Sequence, residues 1–491
     1  NATSRQSEST SSHYRGFPSG EYHSPNYAAE IKEKPSKTQS SSRLAGFLLL
    51  ANYTWNDIYL ADVSVRFDGS SEFGLDQKWA PFWSFGAGLN MHNYKFLQNN
   101  KIINRLKLRA SYGQTGKVNF PSYSARTVYQ TFDRWYIGGF GVSLKALGNR
   151  DLKWETTNKL NIGTDLEFWN SRISLVFDYY YNKTVDLITD VTLPGSAGFT
   201  SYKSNLGETL NKGFDIQFRL DVVKNKEWNV ALWGNLNHNR NEILKISDAL
   251  KAYNSQVEDF YALAEESSTP TTDWTDANKT YEDFIKPIMK YEEGASLTAI
   301  YGVRSLGIDP TNGKELYLYR NGKVSNVWKA TEEVVLGDTE PEASGSFGLN
   351  LTYKNFSLFA SFGYEWGMQT YNETLVSNVE NADIRGSNVD KRVLTQRWEK
   401  PGDIAPLKDI KNMDNVTLPT SRFVQDENTL SLDALTVSYD FDPVWLRKIF
   451  LKTLRLEVST NELFRLSTVK QERGTSYPFA RTVNFSLRAT F

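Results

Sequence analysis

The sequence predicts an all-β fold, a transmembrane antiparallel β-barrel, and three observations carry that prediction. Apolar and polar residues alternate along segment after segment, the period of a strand with one greasy and one wet face. Tight turns and long polar connections alternate between those segments. Aromatics make up 14% of the 491 residues, yet mean hydropathy is −0.50, a ring-rich but polar composition unlike the average soluble chain. The longest apolar run, "LAGFLLLA" at 44–51, is far below the ~20 residues a membrane helix needs. Any crossing of a bilayer is therefore made with strands.

Bulk composition narrows the function classes. Basic and acidic residues balance, 56 against 57, so no electrostatic footprint for nucleic acid or an anionic surface is present. The chain has no cysteine, which removes disulfide frameworks, thiolate metal sites and cysteine nucleophiles together.

Taken in order, residues 1–42 are Ser-rich and lack periodicity, and they read as an extracellular loop segment at a cut or truncated N-terminus. Residues 43–491 read as barrel strands. In "RLKLRASYG", Leu106, Leu108, Ala110 and Tyr112 alternate with Arg105, Lys107, Arg109 and Ser111. Ile162, Leu166 and Phe168 alternate with Asn161, Asp165 and Glu167, and Phe214, Ile216, Phe218 and Leu220 with Asp215, Gln217, Arg219 and Asp221. "FGLNLTY" at 347–353 repeats the pattern, as do Leu454, Leu456 and Val458 against Arg455 and Glu457. Short turns are expected at "WND" (55–57), "WNSR" (169–172), "VKNKEW" (223–228) and "YKNF" (353–356), with longer ones at 92–104 and 442–451. Long connections fall at 66–79, 114–153, 185–211, 239–344, 367–429 and 462–480. An outer-membrane barrel has short periplasmic turns and long extracellular loops by construction, whereas a soluble sheet has no reason for every second connection to be long.

Strands laid between these connections number about 13, each near the ~9–11 residues that cross a bilayer when tilted. An odd number puts the chain ends on opposite sides, and an open edge in lipid leaves costly unpaired amides. An odd number of strands is therefore expected upstream of this chain. The chain finishes on "VNFSLRATF", where Val483, Phe485, Leu487, Ala489 and Phe491 share one parity.

Aromatics sit where strands meet turns: Trp55, Trp79, Trp83, Trp154, Trp169 and Trp228. In a barrel these are membrane-interface girdle residues. The 239–344 connection carries a second group, among them Tyr253, Tyr261, Trp274, Tyr281 and Trp328. Rings among polar neighbours suit sugar rings or peptide side chains, so these are the candidate substrate-binding residues.

No reaction can be named, and the chain is expected not to be an enzyme. The four histidines, His13, His23, His92 and His238, form no H-E-x-x-H and no metal pair. "GGFGVSLKALG" at 138–148 lacks the dinucleotide pattern, and "DPTNGKELYLYRNGK" at 309–323 lacks calcium-loop spacing and reads as strands edged by Asn-Gly turns. No cofactor and no metal are expected.

Several stretches in one order along the chain resemble the C-terminal portion of the SusC/RagA-type TonB-dependent outer-membrane transporters of the Bacteroidetes. They include "FLLLANYTWNDIYLADVSVRFDGSSEF", "KLRASYGQTG", "NRDLKWETTNKLNIGTDLEFWNSRISLVFDYYYNKTVDLI", "GDTEPEASGSFGLNLTYKNFSLFASFGY", "DKRVLTQRWEKPGD", "LRLEVSTNELF" and the final "ARTVNFSLRATF". The resemblance implies a barrel of about 22 strands, of even number as bacterial barrels are, closed by upstream strands and occluded by an N-terminal plug absent from this chain. It implies a SusD-like surface lipoprotein as partner, energy delivered through TonB, dimers of transporter and lipoprotein pairs, and import of glycan oligomers or peptides. The strand holding Val483, Phe485, Leu487 and Phe491 resembles the signal read by the barrel-insertion machinery. A siderophore or cobalamin receptor is the alternative within the class, and a soluble β-rich binding protein or adhesin the alternative outside it.

Overall fold

The computed structural model describes residues 1–18, 24–73, 77–98, 100–117, 125–136, 139–146, 148–149, 151–192, 201–205, 207–246, 251, 255, 291–329, 332–386, 389–412, 416–446, 448, 450–470 and 481–490. A long hairpin of β1 (Ala2–Arg15) and β2 (Glu30–Trp55) comes first, and β3 (Tyr59–Ser70), β4 (Trp79–Asn90) and β5 (Ile103–Lys117) extend it. The small hairpin β6 (Val128–Tyr136) and β7 (Gly139–Ala146) stands apart, and β8 (Glu155–Phe168) and β9 (Ile173–Val185) return to the sheet. A second separate hairpin, β10 (Ile188–Thr192) with β11 (Ser201–Asn205), precedes β12 (Gly207–Lys224) and β13 (Trp228–Ile246). The long connection after β13 contains β14 (Ala299–Gly302), β15 (Arg304–Ile308), β16 (Glu315–Leu318), β17 (Val324–Ser325) and β18 (Val334–Asp338). Then come β19 (Ala343–Tyr353), β20 (Phe356–Tyr371), β21 (Val424–Asp440), β22 (Thr453–Asn461), the short β23 (Arg465–Ser467) and β24 (Thr482–Thr490).

One 15-stranded sheet dominates, in the order β1-β2-β3-β4-β5-β8-β9-β12-β13-β19-β20-β21-β22-β24, with β23 on β21. Neighbours along that order pair antiparallel. The expected number was about 13; the two additional strands are β1 and β23. Among the described residues the sheet stays open, since β1 pairs with β2 and β24 with β22 and neither has a second neighbour.

Register places apolar residues opposite apolar residues across the whole sheet. Phe47 faces Phe67, Val63 faces Phe85, Ile162 faces Tyr179, Phe177 faces Ile216, Phe347 faces Phe362 and Leu456 faces Leu487. Because a strand's side-chain period is two, slipping any pair by one residue would turn that strand's apolar set to the opposite face. The other face is polar and cross-linked. Arg109 of β5 reaches Asp165 of β8 at 3.2 Å and Asp178 of β9 at 2.6 Å, and Arg455 of β22 donates two bonds of 2.7 Å to Asp440 of β21. The apolar face lies open: Phe47 keeps 69% of its surface accessible, and rings and aliphatic side chains are exposed on most strands of the sheet. A contiguous apolar surface on this scale marks an interaction with another apolar phase.

Turn chemistry follows the sequence. In the β2–β3 hairpin Asn56 and Asp57 have φ of 52° and 55°, and Lys354 between β19 and β20 has φ of 50°, the left-handed backbone that matches the twist of antiparallel strands. At the opposite end the connections are long, and the apolar interior lies in them. Phe73, Phe82, Ala125, Leu152, Trp154 and Ile188 form one cluster, Val379, Ala382, Val393 and Leu407 a second, and Val303, Tyr317 and Tyr319 a third.

Two sequence readings need correction. Residues 1–42, read as irregular loop, contribute β1 and the first part of β2, paired from Ala2↔Ala45 to Arg15↔Glu30. Both strands are polar on both faces there, so a hydrogen-bonded ladder forms without any hydrophobic period to announce it. Trp154, read as a girdle residue, is 7% exposed and packs on Phe73 and Phe82, with ring centroids at 4.4 and 5.4 Å.

The register makes a directional prediction. In the full-length protein folded into liposomes, Phe347→Arg is expected to destabilise by about 2–4 kcal/mol, the usual cost of a cation on a lipid-facing barrel position, and Ser346→Arg by much less. Denaturant titration followed by heat-modifiable gel mobility reads both.

Candidate functional site

The connections at the end of the sheet opposite the tight turns fold into a layer built around buried charge. Glu315 starts β16, Glu380 ends the helical turn 376–380, and Arg422 precedes β21. The Arg422 guanidinium grips Glu315 with two bonds, 3.2 Å from Nε and 2.9 Å from Nη2, and also donates to Glu380. It stacks at 4.5 Å over Phe423. Thr417 donates to Glu380 at 3.2 Å, and Lys408 donates to Thr417 at 2.9 Å and to Asn381 at 3.1 Å. Arg397 donates to the main-chain carbonyls of Lys408, Glu380 and Val379, satisfying acceptors that a short helical turn leaves open. Glu315, Glu380, Arg397 and Lys408 are all buried.

Burial shapes the ionisation of this cluster. It pulls the Arg422 guanidinium down, but the carboxylates of Glu380 and Glu315 outweigh it and the net shift is upward. For Lys408 burial wins over Glu380, and its ammonium sits below the ordinary lysine range. Arg397 is also lowered by burial. Such a cluster ties together segments remote in sequence. It holds the loop layer in one arrangement.

A cavity opens beside this layer. The pairing of β13 with β19 ends at Asn237↔Ser344, where β19 begins, and a space of about 740 Å³ lies beside the part of β13 that runs on. Asn239, Asn241, Asp338, Glu340, Trp366 and Gln369 are among its walls. Tyr180 donates to Asn239 at 3.1 Å, and Asn239 donates onward to Glu340 at 2.9 Å. Trp366 stays largely exposed at the rim. Amides, carboxylates and one accessible indole make a wall suited to hydroxyl-rich or amide-rich ligands. Among the described residues no group of three or more His, Asp or Glu side chains could hold a metal.

The residues singled out in the sequence fare unevenly. Tyr253, Tyr261, Trp274, Tyr281 and Phe491 lie outside the described residues. Trp328 is described, and its ring is committed to the fold: it packs against Val303, Tyr317 and Tyr319, and its Nε1 donates to the Pro419 carbonyl at 3.0 Å. Trp55, Trp79, Trp169 and Trp228 are exposed near strand ends, whereas Trp83 is exposed inside β4, in the row of Val65 and Leu49, and Val483, Phe485 and Leu487 share the exposed apolar face of β24. The sequence reading missed Trp366, Asn239, Glu340 and the Glu315–Arg422–Glu380 cluster.

Two outcomes follow from the cluster and its surroundings. Glu380→Gln removes one partner of buried cations, a change worth about 3–5 kcal/mol in comparable sites; amide exchange at residues 376–423 should rise while the sheet stays protected. Burial pushes the phenols of Tyr301 and Tyr371 up to about 12 each, from an ordinary 10. A folded-state pKa above the unfolded value gives stability that is complete below pH 10 and is lost as pH climbs towards 12. Near-ultraviolet circular dichroism of the loop layer should fade across that window, and less steeply in Tyr371→Phe.

Known proteins share this architecture. The family model described as TonB dependent receptor-like, beta-barrel, matches residues 3–283. TonB-dependent receptor P3 of Formosa agariphila is 28% identical over 442 residues, covering 88% of this chain and 42% of the relative. TonB-dependent receptor SusC of Bacteroides thetaiotaomicron is 25% identical over 459 residues, covering 88% and 42%. A structure of the RagAB peptide transporter superposes with a TM-score of 0.79 at 23% identity, over 96% of this chain and 49% of that one. The chain thus spans less than half the length of the curated relatives it matches. Its alternating register, its tight turns at one end and long connections at the other, and the family match over more than half its length lead to one conclusion: the chain belongs to the TonB-dependent receptor-like β-barrel family, is similar to its SusC/RagA-type transporters, and is an outer-membrane protein.

Proposed function

We propose that this chain supplies barrel wall and outer loop layer to a TonB-dependent importer that takes up glycan oligomers or peptides. The observation that carries the reading is the two-faced sheet, apolar where it would meet lipid and polar where it would line a conduit. The long connections face the outside of the cell, and the tight turns at Asn56, Asn170, Asn225 and Lys354 face the periplasm. Ligand is held between the loop layer and a SusD-like lipoprotein, an arrangement supported by likeness to SusC and to the RagAB transporter. TonB acts through a plug carried by the N-terminal part of the full-length protein, and transporter and lipoprotein pairs associate as dimers. Upstream strands close the barrel, the exposed tryptophans at strand ends mark the membrane interfaces, and β24 carries the assembly signal ending at Phe491.

In this arrangement the cavity beyond Asn237↔Ser344 is a ligand-facing wall. Asn239, Asn241 and Glu340 orient hydroxyl or amide groups by hydrogen bonding. Oligomers of this chemistry exceed what diffusion through a small pore admits, which is the reason for an energised route.

This chain has no cysteine, so single cysteines introduced into it test the orientation in a full-length protein with any cysteine outside this chain replaced by serine. On intact cells, Asn321→Cys in the β16–β17 turn should react with a membrane-impermeant maleimide, whereas Asn225→Cys in the β12–β13 turn should react only after the outer membrane is permeabilised; the reverse pattern overturns the orientation. Titration calorimetry of the full-length transporter with its lipoprotein, against pools of oligosaccharides and oligopeptides, tests the substrate class. Asn239→Ala should weaken binding of the recognised pool about tenfold, equivalent to ~1.4 kcal/mol. Binding of ferric chelates with no response to either pool would contradict the proposal.

A further inference from the structure

On the apolar face, at the boundary where β1 to β4 pass from greasy to polar residues, the sheet carries a notch of about 430 Å³, within the size range of small-molecule sites. Its floor is one cross-strand row. Ala2 faces Ala45, Ala45 faces Gly69, and Gly69 faces Trp79. Three small residues leave the surface recessed beside a large ring. Trp79 lies across Gly69 so closely that a Cβ there would meet the indole at 2.6 Å, and it stacks on Phe67 with centroids 5.2 Å apart and planes 7° apart. One wall is thereby a fixed aromatic plane.

The next row towards the long connections, ~7 Å further along the strands, is polar. Ser4 faces Arg43, and Arg43 and Ser71 exchange two bonds of 2.9 Å through the Arg43 main chain, which leaves the guanidinium out of both. Among the described residues no carboxylate pairs with that guanidinium, which is exposed. In the opposite direction the rows are apolar, beginning with Phe47 and Phe67. From Ala45 to Trp55 the outward positions of β2 are Ala45, Phe47, Leu49, Ala51, Tyr53 and Trp55, about the height of a barrel's apolar band once strand tilt is included. Beyond Ala45 they are Arg43, Ser41 and Gln39. The notch thus lies at headgroup depth, with an apolar floor below and a cation above.

We infer that the Ala2–Ala45–Gly69–Trp79 notch binds one phosphate-bearing lipid, its acyl chain seated on the small residues against Trp79 and its phosphate held by Arg43. Charge complementarity and depth coincide here: an acyl chain needs the recess, and a phosphate needs the cation placed immediately above it. A soluble phosphate could use the guanidinium but not the recess. Assignment of the lipid to the outer leaflet rests on the proposed outward orientation of the long connections. Retention of the lipid does not, so the two can fail separately.

The test uses the full-length transporter, stripped of lipid and reconstituted into phosphatidylcholine nanodiscs carrying graded phosphatidic acid, with native mass spectrometry counting the lipids each chain retains on release. The wild type should retain one phosphatidic acid in preference to phosphatidylcholine. Arg43→Gln should lose about fivefold of that preference, the effect of removing one interfacial cation. Ala45→Phe fills the recess with an apolar ring on a lipid-facing position, so folding is preserved while retention of the lipid is lost. Heat-modifiable mobility checks the fold of each variant, and Arg43→Gln keeps the test decisive if Ala45→Phe inserts poorly. Equal retention of the two lipids by the wild type, unchanged retention in both variants, or displacement of the lipid by inorganic phosphate alone would overturn the site.

Discussion

A backbone in hydrocarbon has no water to satisfy its amides, and every other feature of this molecule depends on that constraint. Each unpaired peptide group costs several kcal/mol, so strands must pair along their length. Once they pair, the period of two sends alternate side chains to opposite sides, and the register decides what those sides are. Here each pairing agrees with the next. Phe47 with Phe67, Phe177 with Ile216 and Leu456 with Leu487 belong to one surface spread over the sheet. Arg109 with Asp165 and Asp178 belongs to the other. These ion pairs are half-exposed and add little stability individually. Their effect is on specificity, since a slipped strand would present arginine and aspartate to lipid.

The long connections solve a different problem. Away from the hydrocarbon they can build conventional interior, and they do so with small apolar clusters and the buried Glu315–Arg422–Glu380 group. Removing one member strands the others in a dry place, which makes the group a fastener with a heavy penalty for partial failure. A layer fastened in this way can present a cavity wall, such as the one between Asn239 and Trp366, without rearranging each time a ligand arrives. Rigidity of the wall lowers the ordering cost of binding.

Much of the sheet was legible because its physics is local. Alternation in "RLKLRASYG" or "FGLNLTY" needs no knowledge of partners, and the turns at Asn56 and Lys354 are written in residues that tolerate left-handed backbone. The hairpin of β1 and β2 was not legible. Its serines and charges sit on both faces, so the ladder leaves no period in the sequence. Trp154 and Trp55 flank strands in the same way on paper. They differ because Phe73, Leu152 and Ile188 converge on Trp154 from separate connections. The cation–carboxylate cluster was out of reach for the same reason, since Arg422 lies 107 residues from Glu315 and 42 from Glu380. Within the candidate site, sequence reasoning found that the long connections are ring-rich but not which rings stay free: Trp328 is spent on packing, whereas Trp366 is accessible.

The central claim is that one face of this sheet meets lipid and the other meets water. Spin labels placed one at a time along β19, at positions 344 to 352 of the full-length protein in liposomes, test it most directly through relaxation by oxygen and by a water-soluble nickel complex. The account predicts oxygen maxima at the positions of Gly345, Phe347, Leu349 and Leu351, with nickel maxima out of phase at Ser344, Ser346, Gly348 and Asn350. Nickel access at both parities, or no period of two, would show that the apolar face is covered by protein or water and would contradict the account.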